Sequence, residues 1–159
     1  MIFYGNGYMP RRYGLFTELQ LKVMKLRSKG LTLREIAKIT GTSHQNIAVA
    51  EKRALEKLRV ARETIILYNL ITSAKKLIIP SGTHLVDIPK MVLKAGDDVG
   101  VKLKADFTYI YKLIRFNASE CVNGTFVVKP IIITISRDGY VNVYPFDDVK
   151  DLLSLIESI

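Results

Sequence analysis

The stretch that most restricts how this chain can fold is TLREIAKITGTSHQNIAVAEKRALEKLR, residues 32 to 59. Thr32 with Glu35 three residues on is a capping box, in which each side chain satisfies the other residue's backbone N–H. Leu31 and Ile36 flank it as an apolar staple. Gly41 supplies a left-handed residue that ends the first helix at no steric cost. Ser43, with Thr42 competing, caps a second helix. At 100° per residue, Ile47, Ala50, Ala54 and Leu58 fall on one side of that helix, where Ile47 and Ala50 can pack on Ile36 and Ala37. Two helices joined by a tight turn, crossing at the small Ala37, are therefore expected.

The opposite side of the second helix carries Gln45, Ala48, Val49 and Lys52, with Arg53 at its border. A solvated face would be denser in Glu and Lys. This mixture suits a DNA major groove, since glutamine can bond adenine through two hydrogen bonds and a methyl-bearing side chain can touch thymine. His44 and Asn46 lie in the first turn, and the helix N-terminus itself favours phosphate. Ser43, His44, Gln45, Asn46, Val49, Lys52 and Arg53 are the candidate DNA-binding residues. Gln45 and Asn46 are expected to read bases, Val49 a thymine methyl, and Lys52 with Arg53 the phosphates.

EKRALEKLR (Glu51 to Arg59) after Ile47 resembles the helix-turn-helix of the fourth region of bacterial sigma factors. The wider chain resembles the archaeal Tfx family of DNA-binding transcriptional regulators. The resemblance lies in residues 15 to 64, in IPSGTHLVDIPKMVL (Ile79 to Leu93) and in VVKPIIITISRDGYVNV (Val127 to Val143). It implies a regulator that binds near a promoter.

Charge agrees with a nucleic-acid partner. The formal charge is +9 over 159 residues. Met1 to Thr72 holds 13 Lys/Arg against 5 Asp/Glu, a net +8, whereas Ser73 to Ile159 holds 11 against 10, a net +1. Basic charge concentrated in the half with the turn motif favours nucleic acid over a membrane or an acidic protein, and with the helix-turn-helix the partner expected is double-stranded DNA. Cys121 is the sole cysteine, which excludes an intramolecular disulfide and fits a reducing compartment. The N-terminus lacks a signal-peptide pattern, and no run approaches about 20 apolar residues. A cytoplasmic, soluble protein is expected.

Four segments follow: a flexible arm (1–15), a helix-turn-helix DNA-binding domain (16–62), a connecting helix (63–76) and an α+β assembly or sensing domain (77–159). In the arm, Arg11 and Arg12 read first as solvated cations of a frayed tail, the alternative being entry into a minor groove. Thr17 and Gln20 form another capping box, opening a supporting helix that Gly30 ends. No glycine or proline occurs from Ser43 to Lys76, so the second helix runs on to Lys76 or breaks once near Thr64. Residues 65–71 are apolar on more than one side. They call for cover, by another copy in a homodimer or from within the monomer.

In the last segment, Leu77 to Ile79, His84 to Ile88, Val101 to Ala105, Phe126 to Ser136 and Tyr140 to Tyr144 read as strands. Pro89 opens a helix, Asp106 caps another, Asp138-Gly139 turns a hairpin, and Asp147 or Asp148 caps the last helix. The fold class is α+β, an all-α helix-turn-helix unit followed by a small, partly antiparallel sheet with helices.

Catalytic constellations are lacking. His44 and His84 stand in no metal-ligand spacing, and Ser136 to Gly139 and Pro80 to Thr83 are turn chemistry, with no nearby base that would make a serine nucleophilic. Neither cofactor nor metal is expected, and no enzyme. The leading function is a sequence-specific DNA-binding transcriptional regulator. The alternatives are an initiation-factor-like adaptor touching the transcription machinery, or a ligand sensor acting through the C-terminal domain.

Overall fold

The computed structural model describes residues 13–159, so the expectation for Arg11 and Arg12 falls outside the described residues. The chain forms two compact units, one ending at Glu63 and the other running from Thr64 to Ile159.

The N-terminal unit is helical. Helix α1 (Glu18–Ser28) opens on the Thr17–Gln20 capping box, and α2 (Leu33–Thr40) on the Thr32–Glu35 box. Gly41 ends α2 in the left-handed region, at φ 67°. Ser43 accepts from the Asn46 backbone N–H at 3.2 Å, making it the cap of α3 (His44–Thr72). Val23, Ile36, Ala37, Ile47 and Ala50 form a sealed core, with Leu26, Leu31 and Leu33 packed around it. Burying each large aliphatic side chain stabilises this small unit by about 1.5–3 kcal/mol. Leu58 differs from expectation: it is 44% exposed, whereas Ala54 is fully buried.

Helix α3 does not break at Thr64. It ends at Thr72 rather than Lys76, and Ser73 to Lys76 belong to β1 (Ser73–Ile79). Lysine and alanine there favour helix, but a long antiparallel partner wins. Strand β1 pairs with β4 (Ile131–Ser136) from Ser73↔Ser136 to Ile79↔Ile131, with a bulge between Ser73 and Lys75 that takes the chain from helix into sheet.

The three-stranded sheet has the order β1-β4-β5, all antiparallel, with β5 spanning Val141–Pro145. The central strand β4 is buried from Ile131 through Ile135, because both faces of the sheet are covered. One face (Ile79, Ile131, Ile133, Ile135, Val143) packs on α4 (Ile88–Asp98) and α5 (Phe107–Asn117) through Val92, Ala95, Ile110 and Ile114. On the other face, Ile132 meets Leu70 of α3 and Val149 of α6 (Phe146–Glu157), with Ile66, Leu152 and Leu153 around them. The apolar segment 65–71 is thus partly covered from within its own unit.

Four further expectations are corrected. His84 to Ile88 is not a strand: His84 makes a single bridge to Phe126, and a turn follows that leads into α4. Val101 to Ala105 is irregular, tied to the hairpin by the Lys104 N–H donating to the Gly139 carbonyl. Phe126 to Ser136 is not one strand, because the chain leaves the ladder before Pro130, which has no N–H to donate. Its first part is β3 (Phe126–Val127), paired with β2 (Val122–Asn123). Helix α6 begins at Phe146 with Pro145 at the cap position, so Asp147 and Asp148 lie inside its first turn, where they favour the helix dipole.

Candidate nucleic-acid interface

The candidate surface is the first half of α3, and two contacts from α1 fix its position. Arg27 donates to the Glu51 carboxylate at 2.7 Å and to the Leu31 carbonyl at 2.8 Å, joining α1, the α1–α2 turn and α3. Farther along, the Lys57 ammonium donates at 2.7 Å both to the Gln20 amide oxygen and to the Leu15 carbonyl. Neither contact is legible in the sequence, since the partners lie 24 to 42 residues apart. An internal Arg or Lys with a carboxylate or amide across a helix pair is the only signal that could have raised them.

With α3 held this way, Ile47 and Ala50 point into the core and the expected face points out. Ser43, His44, Gln45, Asn46, Val49, Lys52 and Arg53 are all exposed, and Ala48 is half-buried. Gln45, Val49 and Lys52 stand on one side of the helix, as their spacing requires. Among the described residues, neither Lys52 nor Arg53 makes an ion pair. Two of the seven have local work. Ser43 is committed to capping, and the Asn46 side-chain amide donates to the Thr42 hydroxyl at 3.2 Å, which leaves its oxygen as the available group.

Two turns beyond Lys52 the electrostatics change. Arg59 bonds Glu56 and Glu63 together, and this pairing lowers the Glu56 carboxyl below the usual range and raises the guanidinium. A cation held by two carboxylates offers little to a phosphate, so the bare positive end of the face stops at Arg53. Beside it lies a shallow groove of about 490 Å³ between Ala48, Lys52, Leu55 and Arg59. The chemistry on offer is recognition: the Gln45 amide, the Asn46 amide oxygen, the apolar Val49, free cations and a helix N-terminus. Among the described residues no three His, Cys, Asp or Glu side chains gather to hold a metal, and no helix is long and apolar enough to cross a membrane.

Comparison with known proteins supplies the class. Residues 61–143, more than half the chain, match the family model described as the C-terminal part of the DNA-binding protein TFX. The chain belongs to the TFX family of DNA-binding proteins. Several relatives carry the name "putative transcriptional regulatory protein", two of them from methanogens. One, from Methanocaldococcus jannaschii, is 42% identical over 127 residues, covering 80% of this chain and 93% of the relative. The other, from Methanococcus vannielii, is 36% identical over 134 residues, covering 84% and 94%. The DNA-binding protein Tfx of Methanothermobacter marburgensis is 28% identical over 127 residues, covering 80% and 92%. The TFX model itself lies almost wholly on the C-terminal unit, whereas these longer alignments must reach into the N-terminal unit that carries the α3 face.

Proposed function

We propose that this TFX protein is a sequence-specific double-stranded DNA-binding transcriptional regulator that uses α2 and α3 as a helix-turn-helix, with the start of α3 in the major groove. The observation that carries the reading is the division of α3: Ile47, Ala50 and Ala54 are sealed, while Gln45, Val49, Lys52 and Arg53 stand bare. The net +8 of the first 72 residues and the DNA-binding description of the family support it. Gln45 and the Asn46 oxygen meet base edges, Val49 a thymine methyl, and Lys52, Arg53 and the helix N-terminus meet phosphates, with His44 beside them. The protein works as a homodimer on paired half-sites.

Selection from random duplexes tests this, and a palindromic motif is the expected product. Gln45→Ala is expected to lose roughly 1–3 kcal/mol of discrimination at one base pair. Lys52→Ala is expected to weaken all sequences alike and to flatten the salt dependence by about one unit. Selection that returns no motif would refute sequence-specific reading. A second reading, an adaptor touching the transcription machinery, is favoured by one observation: Leu55 is exposed on α3 next to the proposed DNA face. In that case the selection is empty while Leu55→Asp abolishes capture of polymerase.

A further inference from the structure

The C-terminal unit leaves a large apolar surface uncovered. Ile65, Tyr68 and Ile71 share one side of the end of α3, and Tyr109 and Phe116 share one side of α5. Together with Tyr140, next to the β4–β5 turn, these six side chains are between 53% and 81% exposed. Tyr68, Ile71, Tyr109 and Tyr140 line a single open groove of about 810 Å³. A full aromatic side chain offers about 150–250 Å², and isoleucine somewhat less, so the six leave on the order of 500–800 Å² open. A standard protein interface takes about 800 Å² from each partner. A small-molecule site would instead enclose roughly 70–90% of its ligand, which walls this exposed do not do.

Charge decides what covers the surface. From Ser73 onward the chain is close to neutral, which disfavours a second nucleic-acid contact. Arg137 and Asp138 line the same groove side by side, and among the described residues their side chains make no hydrogen bond or ion pair. One unpaired charge of each sign, adjacent on one patch, is complementary to its own copy turned through a two-fold axis. The groove lining is tyrosine-rich and holds only these two charges, with the Lys104 ammonium over the Tyr140 ring at 4.1 Å, a composition close to that of an interface core.

We propose that this groove and the ridge of α3 beside it form the two-fold interface of a homodimer, with Arg137 of one protomer facing Asp138 of its partner. The proposal extends the paired half-site reading above, but its test needs no DNA. Sedimentation equilibrium of the full chain at micromolar concentration is expected to give the dimer mass. Tyr68→Lys is expected to weaken self-association by about 30-fold, the effect of losing one interface anchor. Arg137→Asp alone and Asp138→Arg alone each place like charges opposite one another and are expected to dissociate the dimer. Mixing the two variants puts opposite charges back in register, and a heterodimer is expected to form.

Both charge variants change exposed turn residues, so they keep the test sound if Tyr68→Lys fails to fold. A parent that is monomeric throughout overturns the proposal, whatever it does with DNA. A dimer that ignores all three substitutions places the interface elsewhere and equally overturns it. A dimer that behaves as expected but selects no duplex motif would sink the DNA reading and leave this one standing.

Discussion

Thr32 and Glu35 show how far a four-residue spacing can be read. The Glu35 carboxylate accepts from the Thr32 backbone N–H at 2.7 Å and from its hydroxyl at 2.8 Å. Those bonds, the backbone one first, hold the carboxyl below the usual range. A carboxyl whose pKa is lower folded than unfolded contributes stability above its unfolded pKa, and that contribution fades as pH falls through the folded value. Glu35→Gln keeps an acceptor but cannot titrate. Thermal melts taken across the acid range are therefore expected to fall less steeply for Glu35→Gln than for the parent, and parallel curves would contradict this. Thr32→Ala removes the cap itself and is expected to cost about 0.5–2 kcal/mol at neutral pH. Sequence alone showed this box and the outward side of α3, because both depend on neighbours within a turn. It hid the Arg27–Glu51 and Lys57–Gln20 contacts, which exist only once the helices are packed.

Among the elements, helices with capping signals were legible and short strands were not. Ser73 to Lys76 have nothing against helix in their own composition, and only pairing with β4 makes them a strand. Asn123-Gly124 is a strong hairpin signal in itself, and the β2–β3 hairpin forms there with Gly124 in the left-handed region. Asp138-Gly139 was read correctly as a turn, but its second role was invisible. Gly139 has φ 85°, and a Cβ there would stand 2.2 Å from the Lys102 carbonyl oxygen. The irregular segment 101–105 is therefore docked on the hairpin by the absence of a side chain. Gly139→Ala must either move that backbone or leave the left-handed turn, and an unfolding loss of about 1–3 kcal/mol or more is expected. Chemical denaturation measures it; a loss under about 0.5 kcal/mol would mean the contact yields freely.

For the whole molecule, the separation of charge was plain from composition, and the structure refines which cations remain available. Arg27 and Arg59 are paired with carboxylates within the N-terminal unit, so the field that reaches a partner comes from the other cations, Lys52 and Arg53 among them. Assembly could not be read in the same way, since exposure of the groove beside α3 depends on how the sheet is roofed. The sheet also sets the order in which the chain can be completed. Strand β4 is flanked by β1 and β5, and its second face is closed by α6, so its partners come from far before it and from residues 141–157 after it. A chain cut after Tyr140 keeps the Ile131–Ile135 run but loses one flank and part of one face. It is expected to aggregate, with circular dichroism retaining the N-terminal helices and losing cooperative sheet unfolding. A soluble, cooperatively melting fragment would count against that. On the ribosome, the same dependence leaves a water-averse, β-branched ribbon waiting for residues 141–157 to emerge, so the pace at which they follow governs how much newly made protein is lost to clumping.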